Sequence, residues 1–155
     1  MRVKIEKLKE WNEEVLNRLV EIYMEGYAGL REYGGESVPY ARRYLRWCWG
    51  RMKDGFFVAR LDDEIVGFAV CSRKWHHKFL NEKVGYIGEF VIDKAYQGHH
   101  IGGALMKACL EYLKGCKKIV LEVGEKNENA IKFYERWGFK KIGKQENWII
   151  MLRED

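Results

Sequence analysis

The spacing of apolar side chains changes period several times along the chain, and each change marks an element. Val3, Ile5 and Leu8 stand among charged residues, as the inward positions of an edge strand do. Val15, Leu16, Leu19, Ile22 and Tyr23 then fall on one helical stripe. Asn12 sits where an N-cap is expected, with Glu13 and Glu14 at the positive end of the helix dipole. The run REYGGES ends that helix. Ala41, Tyr44, Leu45, Cys48, Trp49 and Met52 make a second stripe, reaching Lys53. GFFVARLDDEIVGFAVCS predicts two strands around a turn at Asp62-Asp63, an antiparallel hairpin. The polar run RKWHHKFLNEK predicts a loop. GYIGEFVID is apolar enough to lie centrally in a sheet. A glycine-rich stretch, AYQGHHIGGALM, leads into a helix from His100 to Lys114. KKIVLEV is a further strand. Asn127 caps a helix running to Trp137, and Gly138 is its C-terminal stop. FKKIGK and NWIIMLRE close the chain as a hairpin.

This order is strand, two helices, three strands, helix, strand, helix, two strands. Strands alternate with helices only in the second half. The fold class is therefore α/β with α+β character: a mixed, partly antiparallel sheet of about seven strands flanked by about four helices. A length of 155 residues suits one domain, spanning 1–155. With 47% hydrophobic and 33% charged residues, the chain can bury a core and stay in solution. The start, MRVKIEKLKEWNEE, carries charges throughout and no apolar signal core, and no run reaches the length of a membrane span. A cytoplasmic protein that does not engage a membrane is the expectation.

Net charge is +5, but 23 acidic residues are interspersed among the basic ones, and no strong basic block stands out. That disfavours nucleic acid as a partner and suits a polyanionic small molecule equally well. Cys48, Cys71, Cys109 and Cys116 lack CxxC spacing and lie in apolar surroundings, as buried thiols do. The histidines come as adjacent pairs, His76-His77 and His99-His100. Chain neighbours point apart, so no metal site is expected.

A strand feeding a glycine turn and then a helix forms an anion hole, because the first helical N–H groups have no partner in the chain. The spacing matches neither a Walker loop nor the GxGxxG dinucleotide fingerprint. Gln97-Gly98-His99-His100-Ile101-Gly102 instead resembles motif A of the GNAT superfamily of acetyl-coenzyme A-dependent N-acetyltransferases, Gln/Arg-x-x-Gly-x-Gly/Ala, with His100 in a glycine slot. A histidine in a first helical turn is expected to keep negative φ, so the slot should tolerate it. LEVGEKNENAIKFYERWGF resembles the family's later strand and helix, with Asn127, Ala130, Tyr134, Gly138 and Phe139 at family spacing. The close resemblance covers residues 85 to 143.

The resemblance implies a sheet splayed at its centre, with acetyl-CoA as cosubstrate and no metal. By position, Phe90, Val91 and Ile92 would meet the pantetheine arm. The amides of Gln97, Gly98, His100, Ile101, Gly102 and Gly103 would hold the pyrophosphate. Asn127, Asn129 and Tyr134 would add contacts. An amine must lose its proton before attacking a thioester, and the departing thiolate benefits from one. Tyr134 occupies the family's general-acid position; on helical spacing alone it would read as a core aromatic beside Phe133. A backbone N–H around Val91 or Ile92 would face the developing oxyanion. Glu122 stands twelve residues before Tyr134, a pattern similar to ribosomal-protein N-terminal acetyltransferases, and is the first candidate for the base. Glu89 on the preceding strand is its rival, and a chain of waters is the third candidate. A buried carboxylate at either place needs a partner or a raised pKa.

Tyr44, Trp47 and Trp49 are candidates for an acceptor pocket, although helical spacing assigns most of them to the core. Trp75 to His77 are candidates for a gate in the preceding loop. The acceptor is an amine on a small molecule or on a protein or peptide, a protein N-terminus being the more specific alternative. A coenzyme A-binding protein without turnover is the alternative from another class. Either a monomer or a homodimer fits the sequence.

Overall fold

A computed structural model gives the structure of the protein and describes residues 2–30, 32–98 and 100–155. Its elements follow the predicted order: β1 (Val3–Lys7), α1 (Glu13–Gly26), α2 (Val38–Met52), β2 (Phe56–Leu61), β3 (Glu64–His77), β4 (Glu82–Ile92), α3 (Ile101–Tyr112), β5 (Lys118–Gly124), α4 (Glu128–Arg136), β6 (Lys140–Gln145) and β7 (Trp148–Glu154). Short 3-10 turns at Lys53–Gly55 and Lys94–Tyr96 link α2 to β2 and follow β4. Asn12 caps α1 as predicted, its side chain accepting from Val15 N at 2.8 Å. Ser37 caps α2 in the same way, with Pro39 in the first turn. Gly138 ends α4 with φ of 90°, the left-handed conformation that suits glycine. Among the described residues no helix is long and apolar enough to cross a membrane.

Seven strands form one sheet in the order β1-β2-β3-β4-β5-β7-β6, and β4, the apolar GYIGEFVID strand, lies at its centre. Only β4 and β5 run parallel; the other neighbours are antiparallel. One face packs on α1 and α2 through a core that includes Leu16, Leu19, Leu45, Phe56 and Phe68. The other packs on α3 and α4 through Leu105, Met106, Leu121 and Phe139. Burying such side chains from water contributes about 1.5–3 kcal/mol each, which holds the helices to the sheet.

Two features of β4 position everything described below. Its parallel pairing with β5 is short, from Gly85↔Ile119 to Ile87↔Leu121, although β4 continues to Ile92. Beyond Ile87 the sheet is splayed. At the same place Val70 of β3 pairs with Glu89 while Cys71 pairs with Ile87, so Gly88 is an extra residue in β4. Such a bulge reverses the alternation of faces. Ile87 packs with the α3–α4 core, whereas Val91 packs with the α1–α2 core. Glu89 therefore points toward α1 and α2.

Three expectations are corrected. RKWHHKFLNEK is mostly strand: Trp75 pairs with Val84, His76 with Lys83 and His77 with Glu82. Its charged residues face solvent, while Trp75 stacks on Tyr86 and His77 is buried, so a strand is disguised as a polar loop. Helix α3 begins at Ile101, and His100 before it has φ of 60°, not the negative φ of a helical turn. Cys48, Cys71 and Cys109 are buried free thiols, but Cys116 is half-buried beside the Arg73 carbonyl.

The end of α2 and the 3-10 turn after it supply a paired test of this packing. A Cβ at Gly55 would lie 2.1 Å from the Cys71 carbonyl oxygen, whereas one at Gly50, on the exposed side of α2, would meet nothing within 4 Å. Gly55→Ala is expected to cost about 1–3 kcal/mol through overpacking. Gly50→Ala is expected to stabilise by about 0.5–1 kcal/mol. Denaturant unfolding of the two variants measures both signs.

Candidate active site

The bulge at Gly88 brings Glu89 beneath two tyrosines. Tyr44 Oη donates to Glu89 Oε1 at 2.7 Å and Tyr27 Oη donates to Oε2 at 3.1 Å. Burial pushes the Glu89 carboxyl up to about 7, and the two tyrosine bonds pull it back part of the way. Tyr27 and Tyr44 are raised well above the usual tyrosine range, first by burial and then by the Glu89 charge, so both stay protonated donors at neutral pH. Tyr134 is raised by the same two causes in the same order.

Glu122 lies on the neighbouring strand with partners of its own. Tyr86 Oη donates to Glu122 Oε1 at 2.6 Å, and His77 Nε2 lies 3.2 Å from Oε2. A carboxylate only accepts, so the bond uses the tautomer with the proton on Nε2. His77 is 3% exposed and its Nδ1 has no hydrogen-bond partner among the described residues. Trp75 stacks on Tyr86, with ring centroids 4.9 Å apart, and braces this cluster from behind.

Glu89 and Glu122 line one cavity of about 350 Å³, together with Tyr27, Tyr44, Tyr86 and Tyr134. No Lys or Arg among the described residues lines it. On the other side of the splay runs a groove of about 750 Å³. Every residue assigned above to cofactor contact lines that groove: Phe90, Val91 and Ile92 from β4, Gln97 to Gly103 with His99 set aside, and Asn127, Asn129 and Tyr134 from α4 and its cap. His99 lies outside the described residues. Tyr134 borders both spaces, as do Phe90, Val91 and Asn127.

The groove has the character of an anion site. Helices α1, α2 and α4 each begin with a side-chain cap, from Asn12, Ser37 and Asn127. Helix α3 has no side-chain cap and no acidic residue in its first turn. The N–H groups of Ile101, Gly102 and Gly103 are therefore left for a ligand, at the positive end of the helix dipole. Gly98, with φ of 91°, leaves open space where a Cβ would stand. Lys94 and Arg136 add positive charge along the same groove. Gly102 has a second reason to lack a side chain: its Cβ would stand 3.3 Å from the Phe133 ring of α4.

Residues 16–139 match the sequence model of the acetyltransferase (GNAT) family. The chain belongs to the GNAT acetyltransferase family. The acetyltransferase is 31% identical over 153 residues to an uncharacterized N-acetyltransferase of Methanocaldococcus jannaschii, covering 97% of this chain and 68% of the relative. It is 35% identical over 105 residues to N-alpha-acetyltransferase 30 of Schizosaccharomyces pombe, covering 66% of this chain and 69% of the relative. A crystal structure of a protein from Pyrococcus horikoshii OT3 is 50% identical, with 99% of each chain covered and a TM-score of 0.92. The PaiA N-acetyltransferase of Thermoplasma acidophilum, solved in complex with coenzyme A, shares the fold with a TM-score of 0.78 at 23% identity, over 100% of each chain. This protein is accordingly an N-acetyltransferase, an enzyme acting on an amine.

Of the aromatic candidates, Tyr44 lines the acetyltransferase's cavity, Trp49 stacks on Trp11 at 5.1 Å, and Trp47 is 45% exposed. Sequence reasoning missed Tyr27, Tyr86, Lys94 and Arg136, and it placed His77 in a loop. The signal for Tyr27 and Tyr44 was present: both follow the apolar stripes of the two helices that cover Glu89.

Two measurements test these assignments. Tyr44→Phe removes a hydrogen bond to the charged carboxylate, so the Glu89 pKa should rise above 7 in a carboxyl carbon NMR titration. The folded value lies above the ordinary 4.5, so protonated Glu89 stabilises the fold; that contribution is whole below 4.5 and lost as pH rises through about 7. Glu89→Gln should flatten the fall in stability across that window. Separately, His100→Gly should raise stability by about 1 kcal/mol, read by denaturant unfolding, because it relieves a side chain held in the left-handed region.

Proposed function

We propose that the acetyltransferase holds acetyl-CoA in the groove at the start of α3 and seats the α-amine of a polypeptide in the tyrosine-lined cavity. The observation that carries this reading is the position of Tyr134 on the wall shared by the two spaces, with its hydroxyl under the influence of Glu89.

The groove residues fit the cosubstrate. The uncapped amides of Ile101, Gly102 and Gly103, with Gly98 leaving room for close approach, suit a pyrophosphate, and Lys94 and Arg136 suit further phosphate charge. The edge of β4 beyond Ile87, freed from β5, offers backbone groups to the pantetheine arm at Phe90, Val91 and Ile92. Bound acetyl-CoA supplies the acetyl thioester that the amine attacks.

The protein's own groups manage the protons. Glu89 takes one from the incoming ammonium: its pKa of about 7 leaves it a competent base at neutral pH without holding the proton too tightly. Tyr134 Oη has no hydrogen-bond partner among the described residues and keeps its proton at neutral pH, so it is the available donor. Glu89 is preferred to Glu122 as the base because its charge acts on Tyr134 and because both Glu122 oxygens are already engaged. The similarity to N-alpha-acetyltransferase 30 supports an α-amine as acceptor.

A panel of short peptides and small amines, screened for acetyl-dependent mass gain, tests the acceptor. Acetylation of peptides blocked at lysine but free at the N-terminus is the expected result; acetylation of small amines alone would overturn the polypeptide reading. On the best acceptor, Tyr134→Phe should lower kcat by about 100- to 10,000-fold and affect acetyl-CoA affinity far less. An unchanged kcat would return Tyr134 to a packing role. Glu89→Gln should lower the rate and remove the acidic limb near 7 from the pH profile of kcat/KM.

A further inference from the structure

The cavity contains one carboxylate more than the proposed proton transfer uses. Glu89 and Glu122 both line it, and no Lys or Arg among the described residues does, in a chain that carries 28 Lys and Arg against 23 Asp and Glu. The formal charge of this space is therefore opposite in sign to that of the chain as a whole. Glu122 is held by two side chains, Tyr86 Oη at 2.6 Å and His77 Nε2 at 3.2 Å. Those bonds fix the carboxylate, and no Lys or Arg among the described residues pairs with it. The His77 ring is buried and braced through Tyr86 and Trp75, so Glu122 cannot easily swing out to meet a surface lysine. A half-buried carboxylate with no Lys or Arg beside it among the described residues gains when a cationic ligand completes it. Hydrogen-bonded and aimed into an acceptor cavity, it is complementary to a second positive charge on the acceptor.

We infer that Glu122, oriented by Tyr86 and His77, selects acceptors that carry a second cation beside the reacting amine: polypeptides with a lysine or arginine side chain at the first or second residue. This rests on the proposed polypeptide acceptor and adds to it. Glu89 receives the proton from the reacting ammonium, and Glu122 binds the cation that stays charged. Tyr86 lines the same cavity and holds Glu122 there through its hydroxyl. Glu122 is on this account a specificity-determining residue rather than the base, and His77 and Tyr86 are positioning residues acting through it.

The test compares two peptides of equal length that differ only at the second residue, lysine (acetylated beforehand on no side chain) or leucine. The parent enzyme is expected to favour the lysine peptide by tenfold or more in kcat/KM. Glu122→Gln should bring that ratio close to one, chiefly by raising KM for the lysine peptide. Tyr86→Phe should reduce the ratio part of the way. A parent that favours the leucine peptide or treats both alike overturns the inference, and that result needs no variant to fold. A ratio unchanged in Glu122→Gln overturns it too, as does a fall of a hundredfold or more in kcat on both peptides, which would make Glu122 the base. If the parent acetylates neither peptide but does acetylate small amines, the polypeptide reading has failed by itself. The same comparison between a diamine and a monoamine of equal chain length then decides the role of Glu122: loss of a diamine preference in Glu122→Gln supports it, and no preference in the parent overturns it.

Discussion

The early end of the pairing between β4 and β5 is the constraint on which the site depends. Three residue pairs hold these strands together, up to Ile87↔Leu121, and then the strands part while β4 keeps its partner β3. The extra residue Gly88 falls at the same point. Without it, Glu89 would share a face with Ile87 and be driven into the apolar core under α3 and α4, where an unpaired carboxylate costs several kcal/mol. With it, Glu89 faces Tyr27 and Tyr44. One backbone irregularity thus opens a gap in the sheet and turns a carboxyl group toward one of its two mouths.

The two mouths have opposite electrostatic character, and the fold explains why. The groove is framed by the uncapped start of α3 with Lys94 and Arg136, all favouring anions. The cavity is framed by two carboxylates and several tyrosine hydroxyls. That distribution of charge favours an anion on one side and a cation on the other, and Tyr134 stands on the wall between them. The surrounding structure fixes that arrangement. Asp93, just past β4, accepts from Ala95 N to shape the turn before the glycine loop, and also pairs with Arg18 of α1 at 2.7 Å. Arg18 in turn donates through Nε to the Ile65 carbonyl at 2.8 Å. On the far side Tyr33 packs its ring over Gly124, where a Cβ would come within 2.6 Å, and its hydroxyl accepts from Lys126 N. Both ends of the splay are therefore tied to the segment that covers the cavity.

How much of this was legible in the sequence differs by residue. Element order was legible because apolar period and capping residues agree: Asn12, Asn127 and Gly138 act as their positions predict. The lining of the groove was legible because its residues fall in a few short runs: the end of β4, the glycine loop with the start of α3, and α4 with its cap. The tyrosine cavity was not, because Tyr27, Tyr44, Tyr86 and Tyr134 come from four separate elements and meet only through tertiary packing. His77 was hidden by its polar neighbours, since a strand edged with lysines resembles a loop. His100 shows a subtler error. A slot inside the first helical turn has negative φ and needs no glycine for backbone reasons. In the structure His100 precedes the helix with positive φ, and the family's glycine there is explained by the backbone itself.

Glu89 and Glu122 show most clearly what a sequence leaves out. Each is a glutamate in an apolar strand next to the splay, and nothing in their immediate neighbours ranks them. What separates them is the direction from which they are covered. Glu89 is closed over by helices that bring tyrosine hydroxyls, and burial outweighs their hydrogen bonds, so its pKa climbs to about 7. Glu122 is held from behind by strand residues, Tyr86 and His77, whose hydrogen bonds fix the position of both oxygens. A base must give up its proton again after each turnover, which favours the carboxylate whose charged form is disfavoured. A group that only binds a cation gains from staying fixed and charged. The division of labour proposed for the two carboxylates therefore rests on the helices covering one and the strands bracing the other, and that difference exists only once the chain has folded.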